Sequence, residues 1–180
     1  MDNNSKNILG MLLRYIFLAL VTFNGLFVFY FIFTPLTLIP VFSILDIFYG
    51  TSIFENTINI GRYSVEMIPA CIAGAAYFLL LILNLSTPVK SAFKRATMVL
   101  FSFASFLIMN ILRIVFLSII FVEGYLWFDI IHKFFWYFLS TLFIVAIWFA
   151  EVKLFKIKEI PVYSDLKYIY KKSRFKRKNA

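Results

Sequence analysis

A single cysteine, Cys71, and a single histidine, His132, occur in a chain of 180 residues of which 62% are hydrophobic. Arg113 lies between them in the sequence, inside a long apolar stretch. A thiolate is a nucleophile, an imidazole transfers protons near neutral pH, and a guanidinium in a low-dielectric site can stabilise an oxyanion. These three residue types indicate acyl-transfer chemistry, provided that the fold brings them to one place.

Each of the three residues also has a simpler interpretation. A small residue such as Cys71 can let two membrane helices approach closely, and His132 can be a polar residue at the membrane interface. Arg113 can form a structural ion pair or extend its side chain towards the interface. The catalytic interpretation is favoured for Cys71 because we expect it at the start of a helix after an extracytoplasmic loop, where a helix N-terminus stabilises a thiolate.

Two further polar residues share helix faces with this trio. Asn110 precedes Arg113 by three residues, and Asp129 precedes His132 by the same spacing. Residues three apart are neighbours on a helix, so we include Asn110 and Asp129 as supporting site residues. No metal or other cofactor is predicted, because one cysteine and one histidine fall short of the three or four ligands that zinc uses.

The elements that must position these residues are membrane helices, since several apolar stretches exceed the roughly 18 residues that indicate a span. The sequence predicts an all-α integral membrane protein, with residues 1–155 as a single polytopic domain. Residues 36–48 are short and contain Pro40, so they are expected as an interfacial or re-entrant helix. Four transmembrane helices are expected at about residues 11–33, 69–85, 97–122 and 130–150.

Residues 50–68 differ from the rest, because apolar and polar side chains alternate there. This alternation predicts a short extracytoplasmic β-hairpin with its turn at Gly61. The hairpin should lie outside the hydrocarbon or against protein, since an open sheet edge is not tolerated in lipid. The apolar residues that alternate are Ile58, Ile60, Tyr63, Val65 and Met67.

Basic residues set the expected orientation. The net charge is +9, and ten of the eighteen Lys and Arg residues lie in residues 151–180. Residues 156–180 are predicted to be a basic cytoplasmic tail that attracts anionic membrane lipids, in preference to a nucleic-acid partner. The positive-inside rule then places both termini in the cytoplasm of a multi-pass protein of the cell membrane.

Depth arithmetic brings the three candidate residues together. Counted at about 1.5 Å a residue from the cytoplasmic ends of their helices, Cys71, Arg113 and His132 lie at depths of roughly 22, 24 and 28 Å. The hydrocarbon layer is about 30 Å thick, so all three lie in its outer third. The sequence therefore predicts an active site near the extracytoplasmic face.

Three short stretches, spaced over successive spans, resemble the exosortase/archaeosortase family, and in particular its compact archaeal type. The resemblance covers roughly residues 60–150, although this chain has Cys71-Ile-Ala-Gly74 where the family often has Cys-Ser-Gly or Cys-Thr-Gly. The matching stretches are Pro69-Ala-Cys71, Asn110-Ile-Leu-Arg113-Ile114 and Asp129-Ile-Ile-His132.

This resemblance implies a membrane-embedded cysteine transpeptidase or protease for protein sorting. Cys71 would be the nucleophile, Arg113 the charge stabiliser and His132 the acid–base residue. The implied partners are surface proteins that end in a short motif, a transmembrane helix and a basic cluster, together with a lipid or other amine acceptor.

Two alternatives stay open at this point. The first is a membrane cysteine endopeptidase, a hydrolase that matures secreted peptides through Cys71 and His132. The second is a non-enzymatic membrane scaffold or export subunit, in which the polar residues hold helices together.

Overall fold

The computed structural model describes residues 3–23, 26–87, 89, 91–157 and 170. The chain is mostly helical, with one small antiparallel sheet between the second and third helices. The helices are α1 (Asn3–Phe23), α2 (Phe27–Tyr49), α3 (Pro69–Ile72), α4 (Gly74–Leu85), α5 (Ala92–Val122), α6 (Phe128–Phe134) and α7 (Ser140–Leu154). A π-helical turn, Phe135–Leu139, joins α6 to α7, and the strands are β1 (Ser52–Phe54), β2 (Thr57–Ile60) and β3 (Tyr63–Glu66).

Three helical segments of the described chain are long and apolar enough to cross a membrane. They are Phe27–Tyr49, Ala92–Val122 and Phe128–Leu154, the last being α6, the π-helical turn and α7 in one run. Two shorter apolar segments, Leu12–Thr22 and Pro69–Leu85, fall below that length. The predicted class of helical membrane protein is therefore supported, while the predicted number of four spans is not confirmed.

The predicted boundaries of the first two elements are wrong. A helix over residues 11–33 and a separate one over 36–48 were expected, but α1 ends at Phe23 and α2 continues through Pro35 and Pro40 to Tyr49. The interruption lies at Leu26, where φ is 63°. Proline removes one backbone hydrogen bond but is tolerated within membrane helices, so neither proline ends α2.

The predicted hairpin is confirmed as β2 and β3, which pair antiparallel with Ile60 opposite Tyr63. Gly61 forms the turn with a φ of 58°, a value that glycine adopts without strain. Ile58 and Ile60 are buried in the protein core. A third strand, β1, was not predicted; its three residues are all exposed and give too short a pattern to identify.

The expected helix over residues 69–85 is broken into α3 and α4 at Ala73, whose φ is 57°. The residue after the break, Gly74, lies against the ring of Tyr30 on α2, and a Cβ atom at this position would come within 2.8 Å of that ring. The lack of a side chain at Gly74 therefore lets α4 approach α2 closely.

Helix α5 is the centre of the bundle, because α2, α4 and α7 all pack against it. Aromatic side chains form the contact region, with the rings of Phe33 and Tyr77 stacked 3.6 Å apart and Phe103 and Phe106 edge-on to Tyr77. Most of the predicted tail, residues 156–180, lies outside the described residues.

Candidate active site

Cys71 lies in the single-turn helix α3, where its amide donates a hydrogen bond to the carbonyl of Ile68 at 2.8 Å. Pro69 occupies the first position of this helix, for which its fixed φ is suited. Cys71 therefore lies at the start of a helix, as predicted. This helix has four residues instead of the expected 69–85, and so short a helix provides only a small part of the dipole of a spanning helix.

The break after α3 leaves the carbonyl of Cys71 without a helical partner, and α5 provides one. Asn110 Nδ2 donates a hydrogen bond to Cys71 O at 2.9 Å, and Asn110 is only 2% exposed. The thiol itself is free and half-buried, with Sγ 4.0 Å from the carbonyl oxygen of Glu66 at the end of β3. Asn110 thus fixes the backbone that carries the thiol.

Arg113 lies on the buried side of α5 and is 8% exposed. Its Nη1 donates a hydrogen bond to Ser140 Oγ at 2.8 Å, and this hydroxyl donates to the carbonyl of Phe135 at 2.8 Å. The guanidinium is therefore anchored to the π-helical turn. Within the described residues no carboxylate forms an ion pair with Arg113, and its Nε is buried without a hydrogen-bond partner.

His132 is half-buried on α6 and lies between two aromatic rings of its own helical run. Its imidazole is stacked on Phe128 at a centroid distance of 5.4 Å, and Trp136 meets it edge-on at 6.1 Å. These contacts involve the ring faces. The described residues offer no hydrogen bond to the two ring nitrogens, which are therefore available to a ligand.

The structure brings Cys71, Arg113 and His132 to one cavity of about 260 Å³, although they come from α3, α5 and α6. Strand β3 and aromatic residues of α5, α6 and the π-helical turn complete its walls. The other residues that line it are Ser64, Val65, Glu66, Ile68, Ile114, Leu117, Ser118, Phe121, Phe128 and Trp136.

The two supporting residues differ in their placement. Asn110 lies behind Cys71 and holds its carbonyl, so it is a positioning residue. Asp129 is exposed and is not among the residues that line the cavity. Its predicted role beside His132 therefore has no support in the observed geometry.

Arg113 also lines a second, apolar cavity of about 240 Å³ on another side of its side chain. The remaining lining residues are all apolar: Met109, Leu112, Phe116, Phe135 and Phe143. The guanidinium therefore lies between two spaces, of which only the first contains the thiol and the imidazole.

Sequence reasoning did not identify Ser140 or Glu66 as parts of this site. Ser140 is one of the few polar residues within the predicted span 130–150, and a partner for the embedded Arg113 is expected among such residues. The π-helical turn that places Ser140 near Arg113 has no comparable signal in the sequence. Glu66 lies within the predicted hairpin, residues 50–68, where nothing in the sequence distinguished it as part of the site.

No group of three or more His, Cys, Asp and Glu side chains that could hold a metal ion occurs in the part of the chain that the structure describes. The chain matches no protein family, no curated protein and no solved structure with which it was compared.

Proposed function

We propose that this chain is a membrane-embedded cysteine transpeptidase of the exosortase/archaeosortase type. It cleaves the C-terminal sorting signals of surface proteins and transfers the shortened proteins to a lipid or another amine acceptor. The observation that supports this proposal is the single cavity that Cys71, Arg113 and His132 line together.

In the first half-reaction, the thiol proton of Cys71 passes to His132, and the thiolate attacks the carbonyl carbon of the scissile peptide bond. Arg113 stabilises the oxyanion of the tetrahedral intermediate. The peptide C–N bond then breaks as His132 gives its proton to the leaving nitrogen. The C-terminal segment departs as a free amine, and a thioester remains on Cys71.

In the second half-reaction, the amine of the acceptor attacks the thioester carbon and its proton passes to His132. The C–S bond breaks, and the sulfur of Cys71 recovers a proton from the imidazolium. The product is a new amide between the surface protein and the acceptor. Attack by water in place of the amine gives a free carboxylate, which is the hydrolytic alternative.

The environment of Arg113 supports its role in this sequence. A buried guanidinium without a carboxylate partner is costly in a membrane and is usually functional. Ser140 anchors one side of the group, whereas its Nε has no partner. Because Arg113 lines the cavity, an oxyanion that forms there would lie next to its positive charge.

We further propose that α1 lies along the cytoplasmic membrane surface, so that four segments cross and both termini are cytoplasmic. Arg14 donates hydrogen bonds to the carbonyls of Leu85 and Thr87 at the end of α4. Helix α2 begins at about the level at which α4 ends. Phe29, near the start of α2, packs against Phe103 on α5, and the neighbouring Ser102 accepts a hydrogen bond from Asn84 near the end of α4.

The pattern of exposed side chains on α1 supports this placement. Large apolar residues lie on one face of the helix, as expected for an amphipathic helix that enters only one leaflet. They are Leu12, Leu13, Ile16, Phe17 and Leu20. The interfacial element predicted at residues 36–48 is thereby proposed at α1 instead.

The proposed function is tested with Cys71→Ala in a cell that contains a surface protein ending in a short motif, an apolar helix and a basic cluster. Processing of that protein, followed by its electrophoretic mobility, is expected to stop in the variant. Asp129→Asn is the matched control, because Asp129 is exposed outside the cavity, and it should process normally. Normal processing by Cys71→Ala would refute the assignment of the nucleophile.

Transfer and hydrolysis are separated by the mass of the product. A transferase yields a shortened surface protein whose new C-terminus carries the additional mass of the acceptor. A hydrolase yields the same fragment with a free carboxylate. Both products require Cys71.

The proposed orientation has its own test, which uses the natural thiol. A membrane-impermeant thiosulfonate added to intact cells should modify Cys71 from outside. Modification only after permeabilisation would reverse the orientation.

A further inference from the structure

Strand β3 forms one wall of the cavity in an unusual way, because three consecutive residues, Ser64, Val65 and Glu66, all line it. Successive side chains of a strand point to opposite faces of the sheet. A cavity that meets three in a row therefore borders the edge of the strand and its backbone. In the sheet order β1-β2-β3, this edge of β3 has no strand partner among the described residues.

The register of β2 and β3 shows which residues of β3 form backbone hydrogen bonds with β2 and which do not. The amide of Met67 donates to the carbonyl of Asn56 at 2.8 Å, which makes these residues a hydrogen-bonded pair. Such pairs alternate with non-bonded ones along an antiparallel ladder. Val65 and Ile58 are therefore also a hydrogen-bonded pair. The backbone amides and carbonyls of Ser64 and Glu66 instead point away from β2.

Those outward groups are directed to the side where the thiol lies. The carbonyl of Glu66 accepts a hydrogen bond from the amide of Ile68 at 3.1 Å, and Cys71 Sγ lies 4.0 Å from the same oxygen. The amide and carbonyl of Ser64 and the amide of Glu66 are left at the free edge. A chain that paired with this edge would pass its own carbonyls alongside Cys71.

We propose that the peptide substrate binds as a fourth strand along the free edge of β3, and that this pairing presents the scissile carbonyl to Cys71. The occupant is an extended, uncharged or acidic peptide segment. Its backbone pairs with Ser64 and Glu66, and its alternate side chains contact the cavity wall. This inference rests on the proposed function, for which it supplies the mode of substrate binding.

Charge and apolar surface favour such an occupant. Arg113 lines the cavity without a carboxylate partner among the described residues, and its positive charge favours an oxygen acceptor such as a peptide carbonyl or a carboxylate. Phe121 and Phe128, packed 5.1 Å apart, provide an apolar surface for a side chain. A basic peptide is disfavoured, because it would bring like charge to Arg113.

The test measures alkylation of Cys71 in the full-length protein in membranes. The probe is the chloromethyl ketone of acetylated tetra-alanine, in which the thiolate displaces chloride and a thioether forms. The reference probes are the chloromethyl ketone of acetylated alanine and iodoacetamide. We expect the tetrapeptide to react at least tenfold faster than the single-residue probe, because only the longer chain can pair with β3.

N-methylation of the tetrapeptide provides the sharper readout. Each methyl group deletes one amide donor, so methylation at positions that pair with β3 should slow alkylation about fivefold. Methylation at the alternate positions should leave the rate unchanged. The proposal is overturned by equal rates for the long and short probes, or by methylation effects without this two-residue alternation.

Three protein variants match this experiment. Ser64→Pro removes the edge amide and should slow the tetrapeptide probe alone. Ser64→Ala keeps the amide and loses only the hydroxyl that donates to Asn59 Oδ1, so it should react with the tetrapeptide faster than Ser64→Pro. Ile53→Pro is the folding control, because Ile53 occupies the equivalent outward position on the opposite edge of the sheet, at β1. If Ser64→Pro also changes the iodoacetamide rate, the peptide methylation series decides the question without any mutation.

The outcomes separate this inference from the proposed function. A peptide probe that shows the alternation while Cys71→Ala still processes the surface protein would retain strand binding and reject the catalytic role. Loss of processing in Cys71→Ala, without any dependence on peptide length or methylation, would retain catalysis and reject strand binding.

Discussion

Two clusters of polar side chains in the described part of the bundle invite comparison. Ser102 of one cluster and Arg113 of the other lie about 16 Å apart along α5. The outer cluster is Cys71, Arg113 and His132, which line a cavity. The inner cluster is Asn84, Ser102 and Glu151, all of them 0% exposed. The clusters have similar polarity but differ in what their hydrogen-bonding groups contact.

The three side chains of the inner cluster bond to one another, although Asn84 Oδ1 and Glu151 Oε1 are buried without a partner among the described residues. Glu151 Oε2 accepts hydrogen bonds from Ser102 Oγ at 2.7 Å and from Asn84 Nδ2 at 3.2 Å, which ties α4, α5 and α7 together. This is the arrangement expected of polar residues that join membrane helices. The three residues of the outer cluster instead line a cavity, and no hydrogen bond within the described residues joins their side chains to one another. The presence of polar side chains inside the bundle therefore does not by itself distinguish a structural cluster from a candidate active site, whereas contact with a cavity does.

The largest difference between the two clusters is expected when the charge of the outer cluster is removed. Arg113→Met should lower the rate of processing by about 10²–10³, the usual effect of deleting an oxyanion-stabilising group. Thermal unfolding of the purified protein should change little, because no carboxylate is left unpaired. A large loss of stability with normal processing would make Arg113 structural, like the inner cluster.

The inner cluster should respond in the opposite sense. Glu151→Ala removes two buried hydrogen bonds that join α7 to α4 and α5, and each contributes about 1 kcal/mol. Ser102 and Asn84 keep the carbonyls of Met98 and Leu80 as acceptors. We expect a clear fall in the free energy of unfolding, together with normal processing by the protein that remains folded. Glu151→Gln keeps one acceptor oxygen and should be milder; an equal loss in both variants would show that the carboxylate charge, rather than the hydrogen bonds, matters.

A smaller effect is expected where the outer cluster meets the helix bundle. Ser140→Ala removes the hydrogen bond to Arg113 Nη1, so the guanidinium loses its anchor and processing should slow about tenfold. Ser140→Thr keeps a hydroxyl and should recover most of the rate. An unaffected rate in Ser140→Ala would mean that Arg113 is positioned by packing alone.

The smallest effect is predicted for Asp129, which the sequence placed in the site. Asp129→Asn should change neither processing nor stability, because its side chain is exposed and lies outside the cavity. A loss of activity in this variant would instead restore the pairing of Asp129 with His132 that the spacing suggested.

These two clusters also show how far the sequence could be interpreted. Hydropathy and helical rise predicted that Cys71, Arg113 and His132 lie at one depth, and all three do line one cavity. Strand alternation predicted the β2–β3 hairpin because Ile58 and Ile60 have a period of two and pack into the core. Each of these predictions depends on periodicity along a single element.

The parts that failed depend on packing between elements. Pro35 and Pro40 favoured a helix end locally, but α2 continues through both, because membrane helices tolerate proline and one side of α2 packs against α4 and α5. The break at Ala73 lies next to the close approach of Gly74 to Tyr30, a contact that residues 44 positions apart cannot reveal in a sequence. The contact of Ser140 with Arg113 likewise depends on the π-helical turn.

The most direct test of the central claim is the rate at which iodoacetamide alkylates Cys71 in membranes. The account predicts that His132→Ala and Arg113→Met each lower this rate at neutral pH by tenfold or more, because both side chains promote the thiolate. Asp129→Asn should match the unmodified protein. Identical alkylation rates in all four proteins would contradict the claim that the outer cluster acts as one chemical unit.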